Sequence, residues 1–137
     1  SYMHCVSSYP GKVHESNLGR IFELRQRFPK RAIGFSDHTN PIPENGHLPA
    51  FVASALGVEY IEKHFTVLPR EEVKDGPVSI YIDQLKRLCA FDDLTPQEKF
   101  DHLGDVPLSI IHNHNKGSND KERERRVIRE YSTRWKI

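Results

Sequence analysis

Two short apolar runs, Ala32–Thr39 and Val58–Thr66, each carry a histidine near their far end, and a third apolar segment, Leu48–Gly57, lies between them. The middle segment closes on the glycine that helices favour just past their last turn. The order is therefore strand, helix, strand, and a helical crossover of this kind joins neighbouring parallel strands. His38 and His64 are then expected at the carboxyl ends of one sheet, the edge where α/β folds build their sites. Strand alternation puts Ser36 on the face of His38 and Glu62 on the face of His64, with Asp37 and Lys63 turned the other way. Two imidazoles, a hydroxyl and a carboxylate are expected to converge.

The flanking sequence repeats the pattern. Tyr2–Ser8 reads as a strand carrying Cys5, Ser7 and Tyr9 on one face, stopped by the turn Tyr9-Pro10-Gly11. A helix follows, capped by Ser16 or Asn17, with Leu18, Ile21, Phe22 and Phe28 at helical spacing until Pro29. After Val58–Thr66 a charged loop runs through Val67 to Gly76 before a helix carrying Ile82, Leu85, Leu88 and Cys89. The fold class is thus α/β, with three parallel βα units over residues 1–92. Residues 93–137 read as a helical and irregular extension: a capped helix from Thr95-Pro96-Gln97-Glu98, a β-like Val106–His112, and an amphipathic helix over Lys121–Trp135.

At 137 residues the chain is well short of the roughly 250 of a closed eight-stranded α/β barrel. It opens Ser1-Tyr2-Met3, from which a piece of a longer protein is expected. No run approaches the roughly 18 apolar residues of a membrane span, so no membrane partner is expected and cytoplasmic residence is the default. The formal charge of +1 gives no bulk attraction for nucleic acid. The late arginines alternate with Glu122, Glu124 and Glu130, the pattern of a solvated helix face. His112 and His114 fall in a polar loop, and Cys5 and Cys89 read as small core residues.

Three strings, His4–Pro10, Gly34–Thr39 and Ile61–Thr66, followed by Lys74–Ser79, resemble the sialic acid synthase (N-acetylneuraminate synthase) family in order and spacing. The resemblance covers about residues 2 to 90. It implies the last three strands of a (β/α)8 TIM barrel, incomplete as given, without the first five strands or the antifreeze-like carboxyl-terminal domain. It implies phosphoenolpyruvate and N-acetylmannosamine or a related acylated hexose as substrates, and a nonulosonic acid plus phosphate as products. By the same resemblance His38 and His64 hold a divalent metal, manganese or alternatively magnesium, and Glu62 is an acidic group beside the second histidine. Ser36 lies with phosphoenolpyruvate, Tyr9 and Asp75 lie with the sugar, and Ser7 is a further substrate position.

Two other readings stand beside this one. The first is a noncatalytic metal- or partner-binding module that keeps the fold, and the second a metal-dependent hydrolase or lyase using His38, His64 and Glu62. Three parallel strands have two open edges, so the chain is expected to form a homo-oligomer; without the strands that the resemblance assigns to the phosphate site, it is expected to be inactive by itself.

Overall fold

The structure, a computed structural model, describes residues 1–106 and 108–111. The helix expected over Lys121–Trp135, the late arginines and the pair His112 and His114 lie outside the described residues. Three parallel strands, β1 (Tyr2–Cys5), β2 (Ile33–Asp37) and β3 (Tyr60–Lys63), form one sheet in the order β1-β2-β3. Among the described residues four α-helices accompany them: α1 (Arg20–Arg27), α2 (Leu48–Ala55), α3 (Ile82–Asp92) and α4 (Pro96–Leu103). The chain is α/β, as the strand, helix, strand order requires.

Register decides what each face holds. Met3, Gly34 and Tyr60 are paired across the sheet in one row, and Cys5, Ser36 and Glu62 in the row nearer the carboxyl edge. Alternation sends Ile33, Phe35 and Asp37 of β2 to the other face. There Ile33 and Phe35 pack with Leu18, Ile21, Val52, Ala53 and Leu56 into the core beneath α1 and α2. Phe35, 2% exposed at the centre of the sheet, gains about 1.5–3 kcal/mol from that burial alone. The first face keeps Met3, Cys5, Tyr60 and Glu62 exposed.

The helix ends are closed by local chemistry. Past α2, Gly57 adopts φ 68° and its N–H donates to the Ser54 carbonyl at 2.8 Å, the left-handed closure that glycine makes without strain. The Arg25 guanidinium donates to the Leu56 carbonyl at 2.7 Å and also to that of Gly57, satisfying two acceptors the helix cannot. At α4 the capping box is complete, with the Thr95 Oγ1 accepting from the Glu98 N–H and the Glu98 carboxylate accepting from the Thr95 N–H.

Two expectations fail at the start of α1. Neither Ser16 nor Asn17 caps it: Ser16 turns its hydroxyl to the Val13 carbonyl at 2.8 Å, and Asn17 bends the chain at φ 47°. Leu18 and Gly19 instead donate their N–H groups to the carbonyls of Ile110 and Ile111, at 2.9 and 2.8 Å. The segment expected to be β-like therefore contains a 3₁₀ turn, Leu108–Ile110, with Ile110 fully buried in the core. Its carbonyls serve helix α1 rather than a strand ladder. Cys5 and Cys89 are also not core residues: both are free and exposed, Cys5 on the open sheet face and Cys89 on α3.

His4, 8% exposed, stacks on Phe35 with ring centroids 5.6 Å apart and donates its Nε2 proton to the Ser16 carbonyl at 2.7 Å. Burial lowers its pKa below the ordinary 6.5, and the positive charge of Arg20 adds to that, against the Ser16 hydrogen bond. The unfolded chain thus takes up this proton at a higher pH than the folded one. The associated stability is complete above about pH 6.5 and is lost as pH falls from there toward the lowered folded value. Between about pH 7 and 5 the melting temperature followed by circular dichroism is expected to fall. His4→Gln, which keeps a donor for Ser16, is expected to flatten part of that fall.

Candidate active site at the carboxyl edge of the sheet

The two histidines arrive where strand alternation puts them. His38 follows β2 directly and His64 follows β3 directly, and their ring centroids are 5.2 Å apart at an interplanar angle of 59°. The turn after β1 adds a third ring. Tyr9 lies 4.9 Å from the His38 ring and 5.7 Å from that of His64, with its hydroxyl 3.3 Å from both His64 ring nitrogens. Beside the Tyr9 hydroxyl, Asp75 brings Oδ2 to 3.4 Å from His64 Nδ1. Three other residues named from sequence, Tyr9, His38 and Asp75, therefore meet around His64. Burial of the Tyr9 hydroxyl, together with its hydrogen bond to the Asp75 carboxylate and that group's charge, raises the phenol pKa above 10, so at neutral pH the phenol keeps its proton.

One row below, the Ser36 hydroxyl donates to Glu62 Oε1 at 2.6 Å. This is the cross-strand partner that parallel register dictates, Ser36 opposite Glu62. Ser7, exposed past the end of β1, makes none of these contacts. Cys5 does: its Sγ is 3.6 Å from His38 Nδ1, which also lies 3.4 Å from the Val6 carbonyl. The alternation that puts Cys5 on the face of Ser7 and Tyr9 is the available signal for this contact.

A second layer holds the Asp75 loop and is not legible in the sequence. Gln84 Oε1 accepts from Arg70 Nη2 at 2.7 Å and from the Tyr81 N–H at 2.9 Å. With its oxygen committed, the Gln84 amide nitrogen donates to His47 Nε2 at 3.0 Å and to the Pro41 carbonyl at 3.3 Å. Arg70 also donates to the Ser79 carbonyl at 2.9 Å and stacks its guanidinium 4.3 Å from the Tyr81 ring centre. Burial lowers the His47 pKa, with the charges of Lys63 and Arg87 adding to it, consistent with a neutral imidazole accepting from Gln84. A glutamine in the third position of a helix is the available signal for its capping contact with Tyr81 alone.

The donor set suits a divalent cation with nitrogen and oxygen ligands. With ring centroids 5.2 Å apart, the two imidazoles are near enough for His38 and His64 to hold one such ion between them. Among the described residues no three His, Cys, Asp or Glu side chains form a cage for a metal ion. A pair of imidazoles leaves positions for water and substrate oxygen, as an open catalytic site requires.

Comparison with known proteins decides the family. Residues 1–94 match the NeuB family. The chain belongs to the NeuB family. Among its relatives, N-acetylneuraminate-9-phosphate synthase of Drosophila melanogaster is 40% identical over 86 residues, 63% of this chain and 22% of the relative. N,N'-diacetyllegionaminic acid synthase of Campylobacter jejuni is 38% identical over 87 residues, 64% of this chain and 24% of the relative. The spore coat polysaccharide biosynthesis protein SpsE of Bacillus subtilis has a solved structure that superposes with a TM-score of 0.65 at 33% identity. That superposition covers 90% of this chain and 34% of SpsE. This NeuB family chain thus spans less than a quarter of the length of the curated relatives it matches. Its three parallel strands and their helices superpose on part of the longer SpsE structure. Among the described residues no helix is long and apolar enough to cross a membrane.

Proposed function

We propose that this chain supplies the metal and sugar corner of a nonulosonic acid synthase. The complete enzyme would join phosphoenolpyruvate to N-acetylmannosamine or a related acylated hexose. The observation that carries this reading is the convergence of His38, Tyr9 and Asp75 on His64. Relatives named for making N-acetylneuraminate 9-phosphate, diacetyllegionaminic acid and pseudaminic acid support the product class.

His38 and His64 would hold the divalent ion, manganese or magnesium, which when bound supplies charge stabilisation for the aldehyde oxygen of the sugar. The chain's other groups bind and orient. Tyr9, a protonated phenol, donates a hydrogen bond to a sugar oxygen. Asp75, half-buried beside it, accepts from sugar hydroxyls and so fixes which carbon faces the second substrate. Ser36, held by Glu62 at 2.6 Å, has its hydroxyl positioned to turn toward an anionic oxygen of phosphoenolpyruvate. Glu62 then keeps an exposed carboxylate in the row beneath the histidines, where it orders water.

Product analysis tests this in the intact protein. Phosphate release that needs both phosphoenolpyruvate and the acylated hexose, with a sugar acid as the organic product, is the expected result. Phosphate released from phosphoenolpyruvate alone would make the protein a hydrolase, and a protein that binds manganese but turns over neither substrate would be a binding module.

A further inference from the structure

The residues beside the two histidines point away from the site, and they carry the one strongly buried charge pair among the described residues. Asp37 and Lys63 have side chains 0% and 4% exposed, and Lys63 Nζ lies 2.9 Å from Asp37 Oδ2. Lys63 Nζ also donates to the Thr39 carbonyl at 2.9 Å, and Asp37 Oδ1 accepts from the Thr39 N–H at 2.8 Å. One lysine on β3 therefore holds the side-chain carboxylate of the residue before His38 and the backbone carbonyl of the residue after it, while the residue after the lysine is His64. Register pairs Asp37 with Lys63 directly across the two strands.

Such a pair is a poor stabiliser. Removing two charges from water offsets most of their attraction, and burial lowers the Lys63 pKa against the opposing pull of Asp37. An apolar pair would hold the sheet together as well. What an apolar pair lacks is direction: it cannot fix the carbonyl of Thr39, the N–H of Thr39 and the ammonium of Lys63 in one geometry.

We infer that Asp37 and Lys63 are positioning residues that set the spacing of His38 and His64 so that both rings reach one cation. The inference rests on the metal reading of those histidines. It assigns a role to the face of the sheet opposite the site, through the backbone rather than through contact with substrate.

The test is manganese titration of the intact protein, with nitrogen couplings to the bound ion counted by pulsed electron paramagnetic resonance. Wild type should show two imidazole nitrogens and His38→Ala one. If wild type does not show two, the metal reading falls and the positioning role falls with it. In Asp37→Asn/Lys63→Met, the new amide keeps an acceptor for the Thr39 N–H and the buried charges are gone. We expect this variant to retain the wild-type melting temperature within a few degrees, to lose one nitrogen coupling, and to bind manganese about 10- to 100-fold more weakly. Two couplings and unchanged affinity in this variant would overturn the inference even though the metal site stands. Should the double variant fail to fold, Asp37→Asn/Lys63→Leu, which likewise leaves neither buried charge unpaired, takes its place with the same two outcomes.

Discussion

Alanine at His64 is expected to lower synthase turnover by about a thousandfold or more while leaving the fold in place. His64 is the side chain on which the rest of the site depends, with the His38 ring 5.2 Å away, the Tyr9 hydroxyl 3.3 Å away and the Asp75 carboxylate 3.4 Å away. Removing it takes away one of two nitrogen ligands proposed for the cation and the ring that the Tyr9 hydroxyl and the Asp75 carboxylate both contact. Electrostatic stabilisation of a developing oxyanion is worth about 10²–10³ in turnover per donor, and loss of the cation removes several kcal/mol more. Its side chain is 31% exposed and belongs to no apolar cluster, so the stability change stays within about 1 kcal/mol. Turnover at saturating manganese, measured beside a melting curve, checks both halves. A His64→Ala protein that melts normally and keeps turnover within twofold of wild type would remove His64 from the mechanism.

The central part of this site was legible because it depends on the two-residue period of a strand. Once β2 and β3 are parallel neighbours, the places of Ser36, His38, Glu62 and His64 follow from counting, and so does the opposite orientation of Asp37 and Lys63. Strand counting put Tyr9 on the face of Cys5 and Ser7, but its role at the sugar, like that of Asp75, came only from the family resemblance, since both lie beyond regular structure. Counting does not extend to interactions between distant segments. The Gln84 amide joins Arg70, His47 and Pro41, residues 14, 37 and 43 positions away, and no local pattern marks such a set. The same limit explains Val106–His112, whose β-like sequence was outweighed when Ile110 entered the core and its carbonyl met Leu18. Cys5 was misread from the general habit of cysteine, which assumes that both faces of a strand are covered.

Alanine at Gly76 is expected to raise the Michaelis constant for the sugar about tenfold or more and to cost about 1–3 kcal/mol of stability. A Cβ at this position would stand 1.8 Å from the Arg70 carbonyl oxygen and 2.7 Å from its carbon. Those are backbone atoms and cannot rotate aside. Nor can Arg70 move as a unit, because the Tyr81 hydroxyl accepts its N–H at 3.1 Å and Ser79 and Gln84 accept from its guanidinium. The strain is therefore relieved by moving residues 75 and 76, which breaks the 2.7 Å hydrogen bond from Ser79 Oγ to the Asp75 carbonyl and draws the Asp75 carboxylate away from His64. Gly11→Ala is the control on the same rim, because its Cβ would meet the His38 and Ser8 carbonyls at an ordinary 3.5 Å. Steady-state kinetics with the acylated hexose varied at saturating phosphoenolpyruvate separates the two effects. A Gly76→Ala protein that is destabilised but keeps the sugar Michaelis constant of the Gly11→Ala control would show that the Asp75 loop supports the fold without touching the sugar.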